Sequence, residues 1–254
     1  LMTVPLDDHI VHRGDGIFEA FRMVDGAFYN FGAHLERLKH SAAGARMDLP
    51  IGIEEIGKLC RETAKASGIS DAVMRLFISR GPGGFSTNPY DCVGNQIYIA
   101  ACPFKAPRAE LYSRGARAGT SSIPPKTEPF CGIKSCNYLN NVLMKKEAVD
   151  LGLDSTISVD ENGHLTEGAI ENFFLIDRDR RFVTPRFEKV LQGTTLIRLM
   201  ELVRDSVPEY VSEVVQKDLL PADLADAVEA GLVGTSLGAL PLVEFDGKKI
   251  GGGS

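Results

Sequence analysis

Several features are missing from this chain, and each absence removes a class of protein. No stretch approaches the ~20 consecutive apolar residues that a membrane-spanning helix needs, and no signal-peptide pattern opens the chain. Excess positive charge is missing too: the formal net charge is −6, which argues against nucleic acid or an anionic membrane surface as the partner. There is no CxxC pair. The five cysteines, at positions 60, 92, 102, 131 and 136, are odd in number, which speaks against structural zinc and a disulfide framework and fits free thiols in a reducing cytoplasm. No repeat of fixed period and no low-complexity segment occurs.

What remains is a globular composition, 44% hydrophobic and 24% charged over 254 residues, enough interior for one large domain or two medium ones. The opening LMTVPLDDH predicts that an N-terminal piece is missing, and the closing GGGS reads as a linker or frayed end.

The first hundred residues alternate strands and helices. Two apolar runs flank Asp25-Gly26 between Gly16 and Phe31, a strong hairpin signal. Apolar residues at helical spacing predict helices over His34–Arg46 and Ile53–Ser67, the second ending at Gly68. Val73–Ser79 and Gln96–Ala101 read as buried strands around the loop RGPGGFSTNPYD, which lacks the Lys-Ser/Thr ending of a nucleotide-binding loop. This mixed order predicts an α+β layer architecture, and PFKAPRAELY (103–112) is the best linker candidate.

Beyond the linker, strands are predicted at 116–122, 155–159, 172–176, 181–184, 210–215 and 229–234. Helices are predicted at 138–150, at 192–204 and after Pro221, and a hairpin at 242–250 turns on Asp246-Gly247.

One side chain stands apart. Between Pro129 and Met144, PFCGIKSCNYLNNVLM, the only charged residue is Lys134. Burying an ammonium is costly, and desolvation favours the neutral amine, a nucleophile able to form a Schiff base. The plainer reading is a lysine whose stem packs on the core while its tip reaches water.

Two glycine-led sites look like helix entries whose N–H groups would suit a phosphate: Gly193-Thr194-Thr195, and Gly234-Thr235-Ser236 after a strand. Threonine at a helix start is more often only a cap. Arg37, on HLERLKHSA, is a candidate charge for the same anion, and Glu167, beside the apolar run of LTEGAIENFF, is a loop carboxylate or a partner for a buried cation. His9 and His12 form an HxxH with no third ligand indicated and read as surface or loop residues.

Taken together, HLERLKHSA, GIKSCNYLNNVLMKKEA, LTEGAIENFFLI, LQGTT and GLVGTS resemble, in order and spacing, the class IV aminotransferases, over nearly the whole chain from Val4 to Ile250. These are fold-type IV enzymes using pyridoxal 5'-phosphate. They include branched-chain and D-amino acid aminotransferases and 4-amino-4-deoxychorismate lyase. The resemblance implies an α/β sandwich over residues 1–104, a linker at 105–112 and a pseudo-barrel over 113–250, with the cofactor in the cleft between them and a homodimer completing the site.

By the same resemblance Lys134 holds the cofactor, Glu167 pairs with its pyridine nitrogen, and Tyr138 hydrogen-bonds its ring hydroxyl. Arg37, Gly193, Thr194, Thr195, Thr235 and Ser236 form the phosphate cup. Phe18-Glu19-Ala20-Phe21-Arg22 is similar to the FEGxR segment of branched-chain enzymes, whereas ISRGPGGFST is similar to a loop of the lyase. Leu196 stands where the family usually has arginine. Phe18, Arg22, Arg75 and Arg80 are candidates for the substrate site. The implied activity is amino transfer between a branched-chain-like amino acid and a 2-oxo acid; the alternatives are the lyase, the D-amino acid enzyme, or a non-catalytic binder of the cofactor.

Overall fold

In the computed structural model the described residues are 3–207 and 209–251; the chain ends that the sequence sets apart lie partly outside them, at residues 1–2 and 252–254. The chain divides into two compact units. The first comprises Leu1–Lys105 together with Ile133–Tyr138, and the second comprises Ala106–Gly132 with Leu139–Ser254.

The first unit opens with the short helix α1 (His9–His12), capped by Asp8, whose carboxylate accepts from the Ile10 N–H at 3.0 Å. Strand β1 (Gly16–Val24) turns through Asp25-Gly26 into β2 (Ala27–Phe28), both turn residues having positive φ as the Asp-Gly pair predicts. Helices α2 (Phe31–Gly44) and α3 (Ile53–Ser67) follow, then β3 (Ala72–Ser79) and β4 (Gln96–Pro103). The strands form an antiparallel sheet in the order β2-β1-β3-β4.

Side chains alternate across this sheet. Ile17, Phe21 and Met23 of β1 and Met74, Leu76 and Ile78 of β3 are buried with Leu38, Ile56 and Cys60 of the two helices, and that is the core. Phe18, Ala20 and Arg22 point to the opposite face, where β1 and β3 set Phe18 against Phe77 and Ala20 against Arg75.

A polar network ties the first residues to this sheet. The fully buried Asp8 carboxylate accepts from Ser79 Oγ at 2.7 and 2.8 Å and from the Tyr98 hydroxyl at 2.6 Å. Burial and the adjoining Asp8 charge push the Tyr98 phenol up to about 12, so it stays a donor. His9 is 1% exposed, not a surface residue as its sequence setting suggests, because α1 folds it beneath this loop cluster. Gly81 sits at φ +98°, and a side chain there would meet the Gly94 carbonyl oxygen at 2.1 Å, so this loop accepts only glycine.

The second unit contains α4 (Ala109–Arg114), β5 (Ala116–Thr120), α5 (Leu139–Asp150), β6 (Ser155–Val159), β7 (Leu165–Gly168), β8 (Asn172–Ile176), β9 (Arg181–Thr184), α6 (Thr194–Ser206), β10 (Glu213–Gln216), α7 (Pro221–Ala225), β11 (Glu229–Gly234), β12 (Gly238–Phe245) and β13 (Lys248–Lys249). The strand order is β10-β9-β8-β11-β12-β5-β6-β7, with β13 against β12. Pairs β10·β9, β12·β5 and β5·β6 are parallel and the others antiparallel. This mixed sheet encloses a core of Phe173, Leu175, Leu232, Leu242 and Phe245.

The segment 105–112 expected as a linker is partly helical, since α4 begins at Ala109. Lys134 lies in the short stretch that groups with the first unit rather than with the pseudo-barrel, because its backbone pairs with β1.

Candidate active site

The first unit, taken by itself, holds a buried charge cluster. Glu19 lies on the core face of β1 and is fully buried, a placement that needs compensating donors. Helix α2 supplies them from one face, His34 and Arg37 being one turn apart. Arg37 donates from Nε to Glu19 Oε1 and from Nη2 to Oε2, both at 2.8 Å, and His34 Nδ1 lies 2.7 Å from Oε2. Burial alone would raise the Glu19 carboxyl; hydrogen bonds from Arg37 and His34 outweigh it and hold the group below the usual carboxylate range.

His34 is pushed down by burial. Glu19 partly opposes the shift, while the positive charges of Arg37 and Lys134 reinforce it. The imidazole is therefore neutral near pH 7 and donates Nδ1–H to Glu19. Its 3.4 Å approach to Arg37 Nη2 then sets two donors side by side and is not a hydrogen bond.

Lys134 is fixed through its backbone. Its carbonyl accepts from the Phe18 N–H at 2.9 Å, its own N–H donates to Ser41 Oγ at 3.1 Å, and Cys136 N–H donates to the Gly16 carbonyl at 2.8 Å. Residues 134–136 thus run along the start of β1, with Ile17 and Ser135 bridged antiparallel. The Lys134 ammonium stands 4.7 Å from the centre of the Phe18 ring, within cation–π range. Tyr138 meets the same ring edge-on at 5.3 Å, and Phe77 stacks on it at 5.7 Å. Phe18 therefore gathers the lysine and the tyrosine that the sequence singles out.

The three candidate arginines differ in what already holds them. Arg80 donates to both carboxylate oxygens of Asp15, at 3.0 and 3.1 Å, and to the carbonyls of Ala45 and Arg46, at 3.0 and 2.9 Å. That is a clamp between loops. Arg22 lies 3.1 Å over the Phe104 ring centre, with Asp71 at 3.9 Å. Arg75 is exposed and makes no hydrogen bond or ion pair among the described residues.

The second unit, taken by itself, holds a carboxylate and a helix start of interest. Glu167, near the end of β7, accepts at Oε2 from the Leu191 N–H at 3.2 Å and from Asn172 Nδ2 at 3.3 Å. Asn172 also donates to the Leu191 carbonyl at 3.0 Å, so one amide joins the carboxylate to the turn leading into α6. Gly193 is the N-cap of that helix. A side chain on it would meet Asn172 Oδ1 at 1.9 Å, which explains the glycine. Thr194, buried, and Thr195, half-buried, follow in the first turn, with N–H groups suited to an anion.

Leu196, where the family usually has arginine, is fully buried in a small core with Phe182, Met200 and Val233. Thr235 and Ser236 do not enter a helix. They occupy the turn between β11 and β12, closed by Leu237 N–H to the Gly234 carbonyl at 3.1 Å, because the chain reverses directly into an antiparallel partner. Cys131 is buried, its thiol pushed up by that burial and donating to the Glu188 carbonyl. It reads as a packed side chain, not a nucleophile.

The amino-transferase class IV family matches residues 16–245. This chain belongs to the class IV aminotransferases. It is 35% identical over 254 residues to the chloroplastic D-amino-acid transaminase of Arabidopsis thaliana, covering 99% of this chain and 67% of that protein. It also matches the solved branched-chain amino acid aminotransferase of Escherichia coli, 29% identical with a TM-score of 0.91, covering 99% of this chain and 84% of that one. The T.th. branched-chain amino acid aminotransferase, solved with pyridoxamine 5'-phosphate, is 27% identical with a TM-score of 0.91, at 99% and 83% coverage. The fold is accordingly that of the fold-type IV enzymes.

Within this aminotransferase, motif reading passes over His34 and Asn172, and it names Glu19 only as part of FEAFR, without its partners. His34 has a signal in its spacing three residues before Arg37. Asn172 has none, because its role depends on a turn nineteen residues later in the chain.

Proposed function

We propose that this enzyme moves an amino group between a branched-chain-like amino acid and a 2-oxo acid, with pyridoxal 5'-phosphate attached at Lys134. The observation that carries the reading is the placement of Lys134. A lysine locked through its main chain to both β1 and α2, with its amine over the Phe18 ring that Tyr138 also meets, supports a positioned reactive group over a solvated surface side chain.

The residues fit such a cofactor. Arg37, braced by a buried carboxylate, and the N-terminus of α6 at Thr194 and Thr195 are phosphate ligands by chemistry, with Thr235 and Ser236 as further hydroxyl donors. Glu167, oriented by two donors, suits a protonated ring nitrogen, and Tyr138 suits the ring hydroxyl. When bound, the cofactor supplies the electron sink that lets the substrate's alpha C–H bond break. Lys134 Nζ is then the base that takes the alpha proton. Arg75 is the arginine available for a substrate carboxylate, since Arg80 is fully engaged and Arg22 covers Phe104; Phe18 and Phe77 form the apolar wall on its face of the sheet.

We further propose a cytoplasmic homodimer. The five cysteines are unpaired, as in a reducing compartment, and Phe85, Tyr90 and Val93 leave an apolar patch exposed on one loop.

The second reading, transfer from D-amino acids, is favoured by the similarity to the plant D-amino-acid transaminase. Loading the protein with pyridoxal phosphate and supplying L-leucine or D-alanine with 2-oxoglutarate separates the two. A pyruvate assay with aminodeoxychorismate tests the lyase alternative. A visible absorption band should appear on loading and be missing in Lys134→Ala; an identical band in that variant would overturn the assignment.

A further inference from the structure

The first unit carries a groove of about 590 Å³ bounded by the β1–β2 hairpin and the last turns of α3. Its floor is apolar. Met23 is 1% exposed and Ala64 8%, and the walls are Phe28, Phe31 and Ile69. Phe28 and Phe31 pack on each other at 4.8 Å and on Phe21 at 5.1 and 4.7 Å, so these walls are fixed by the core behind them.

The charge along the groove has one sign. Arg61 and Lys65 line it, four residues apart and on one face of α3, and no carboxylate does, although the chain as a whole has a net charge of −6. Elsewhere on the two helices lysines are matched, Lys58 with Glu55 at 3.3 Å and Lys39 with Glu36 at 2.7 Å. Arg61 and Lys65 form no ion pair among the described residues. The Cβ position of Gly57 lies 3.6 Å from both Arg61 Nη1 and Phe31 Cε1, so the guanidinium and the aromatic wall border the same spot.

We propose that this groove binds a small apolar carboxylate, its anionic head held by Arg61 and Lys65 and its hydrocarbon chain laid over Met23, Phe28 and Ile69. The volume is within the range of small-molecule sites, about 300–1,000 Å³, and the lining combines an apolar bed with a few charged groups that fix orientation. A neutral apolar molecule would gain nothing from the two cations, both of which are exposed. A polyanion would leave the bed without contact.

The site can be probed with octanoate titrated calorimetrically into the cofactor-loaded protein, with octylamine as the charge control and butyrate as the chain-length control. Octanoate should bind, butyrate at least about tenfold more weakly, and octylamine without measurable heat. The double variant Arg61→Glu/Lys65→Glu, at two helix positions outside the catalytic set, should weaken octanoate by about tenfold or more while its transaminase activity stays unchanged. Arg75→Ala should leave octanoate binding intact, which separates this groove from the substrate site. Equal octanoate affinity in the double variant, loss of binding in Arg75→Ala, or no binding up to about 10 mM would overturn the proposal.

Discussion

Replacing Glu19 by glutamine tests the buried charge cluster of the first unit most directly. The substitution conserves shape and removes one charge. At present a fully buried carboxylate accepts three hydrogen bonds, two from Arg37 at 2.8 Å and one from His34 at 2.7 Å. An amide offers one acceptor oxygen and turns an N–H₂ group toward the remaining donors, so at least one donor faces another. Arg37, 9% exposed, loses the Glu19 counter-charge. Breaking a buried pair by removing one partner costs about 3–5 kcal/mol, against a total stability of about 5–15 kcal/mol for a typical domain.

With a urea slope of roughly 3 kcal/mol/M, the unfolding midpoint should drop by about 1–2 M, read by far-ultraviolet circular dichroism. Because Arg37 is also a proposed phosphate ligand, cofactor affinity should fall by tenfold or more, about 1.4 kcal/mol, in a spectral titration. A midpoint within about 0.2 M of the parent and an unchanged cofactor titration would refute both the energetic account and the bracing role of Glu19.

Two other perturbations follow from the same geometry. Gly193→Ala adds a methyl where Asn172 Oδ1 lies 1.9 Å away, at a φ of −68° that alanine accepts readily, so its cost is purely steric. Melting should show a loss of about 1–3 kcal/mol together with weaker cofactor binding, whereas an unchanged melting point would mean that Asn172 is not fixed where it is placed. Acid should act in two steps. His34 is held below its ordinary 6.5 and Glu19 below its ordinary 4.5, so in both cases the unfolded chain takes up the proton first. The stability they lend is complete above those ordinary values and is lost as pH falls through the lower folded-state ones. Melting temperature measured downward from pH 7 should decline below 6.5 and fall more steeply below 4.5; a flat profile from 7 to 4 would contradict the neutral, buried His34.

Local signals are legible wherever a single element decides its own conformation. Asp25-Gly26 turns the first hairpin, Gly68 ends α3, and β6, β8, β9 and β11 begin and end at the predicted residues, since alternation and turn chemistry are encoded within a few positions. Pairing partners are not encoded that way. Nothing in GALPLVEF says that it runs parallel to β5 or lies beside β11, because those choices depend on how the whole sheet closes. The helix entry expected at Gly234 fails for the same reason: the Gly-Thr-Ser signal is shared by helix caps and tight turns, and strand β12 decides between them.

At the candidate site, residues with a chemically distinctive motif can be nominated from the sequence, and the neighbours that brace them cannot. Glu19 stands out in the sequence only as part of FEAFR. Its partnership with His34 and Arg37 spans fifteen and eighteen positions and appears only when α2 is laid across β1.

The main-chain anchoring of Lys134 also constrains the order in which a nascent chain can mature. The four-stranded sheet has all its strands once Pro103 has been made, and can then close on α2 and α3 as an early folding unit. The Phe18 N–H and Ser41 hydroxyl that will hold the lysine stay unclaimed until the intervening segment 106–132, which belongs to the second unit, has left the ribosome. The stretch carrying the lysine is thus the last part of this unit to be synthesised, and through Ile133 it also supplies the final piece of the unit's core.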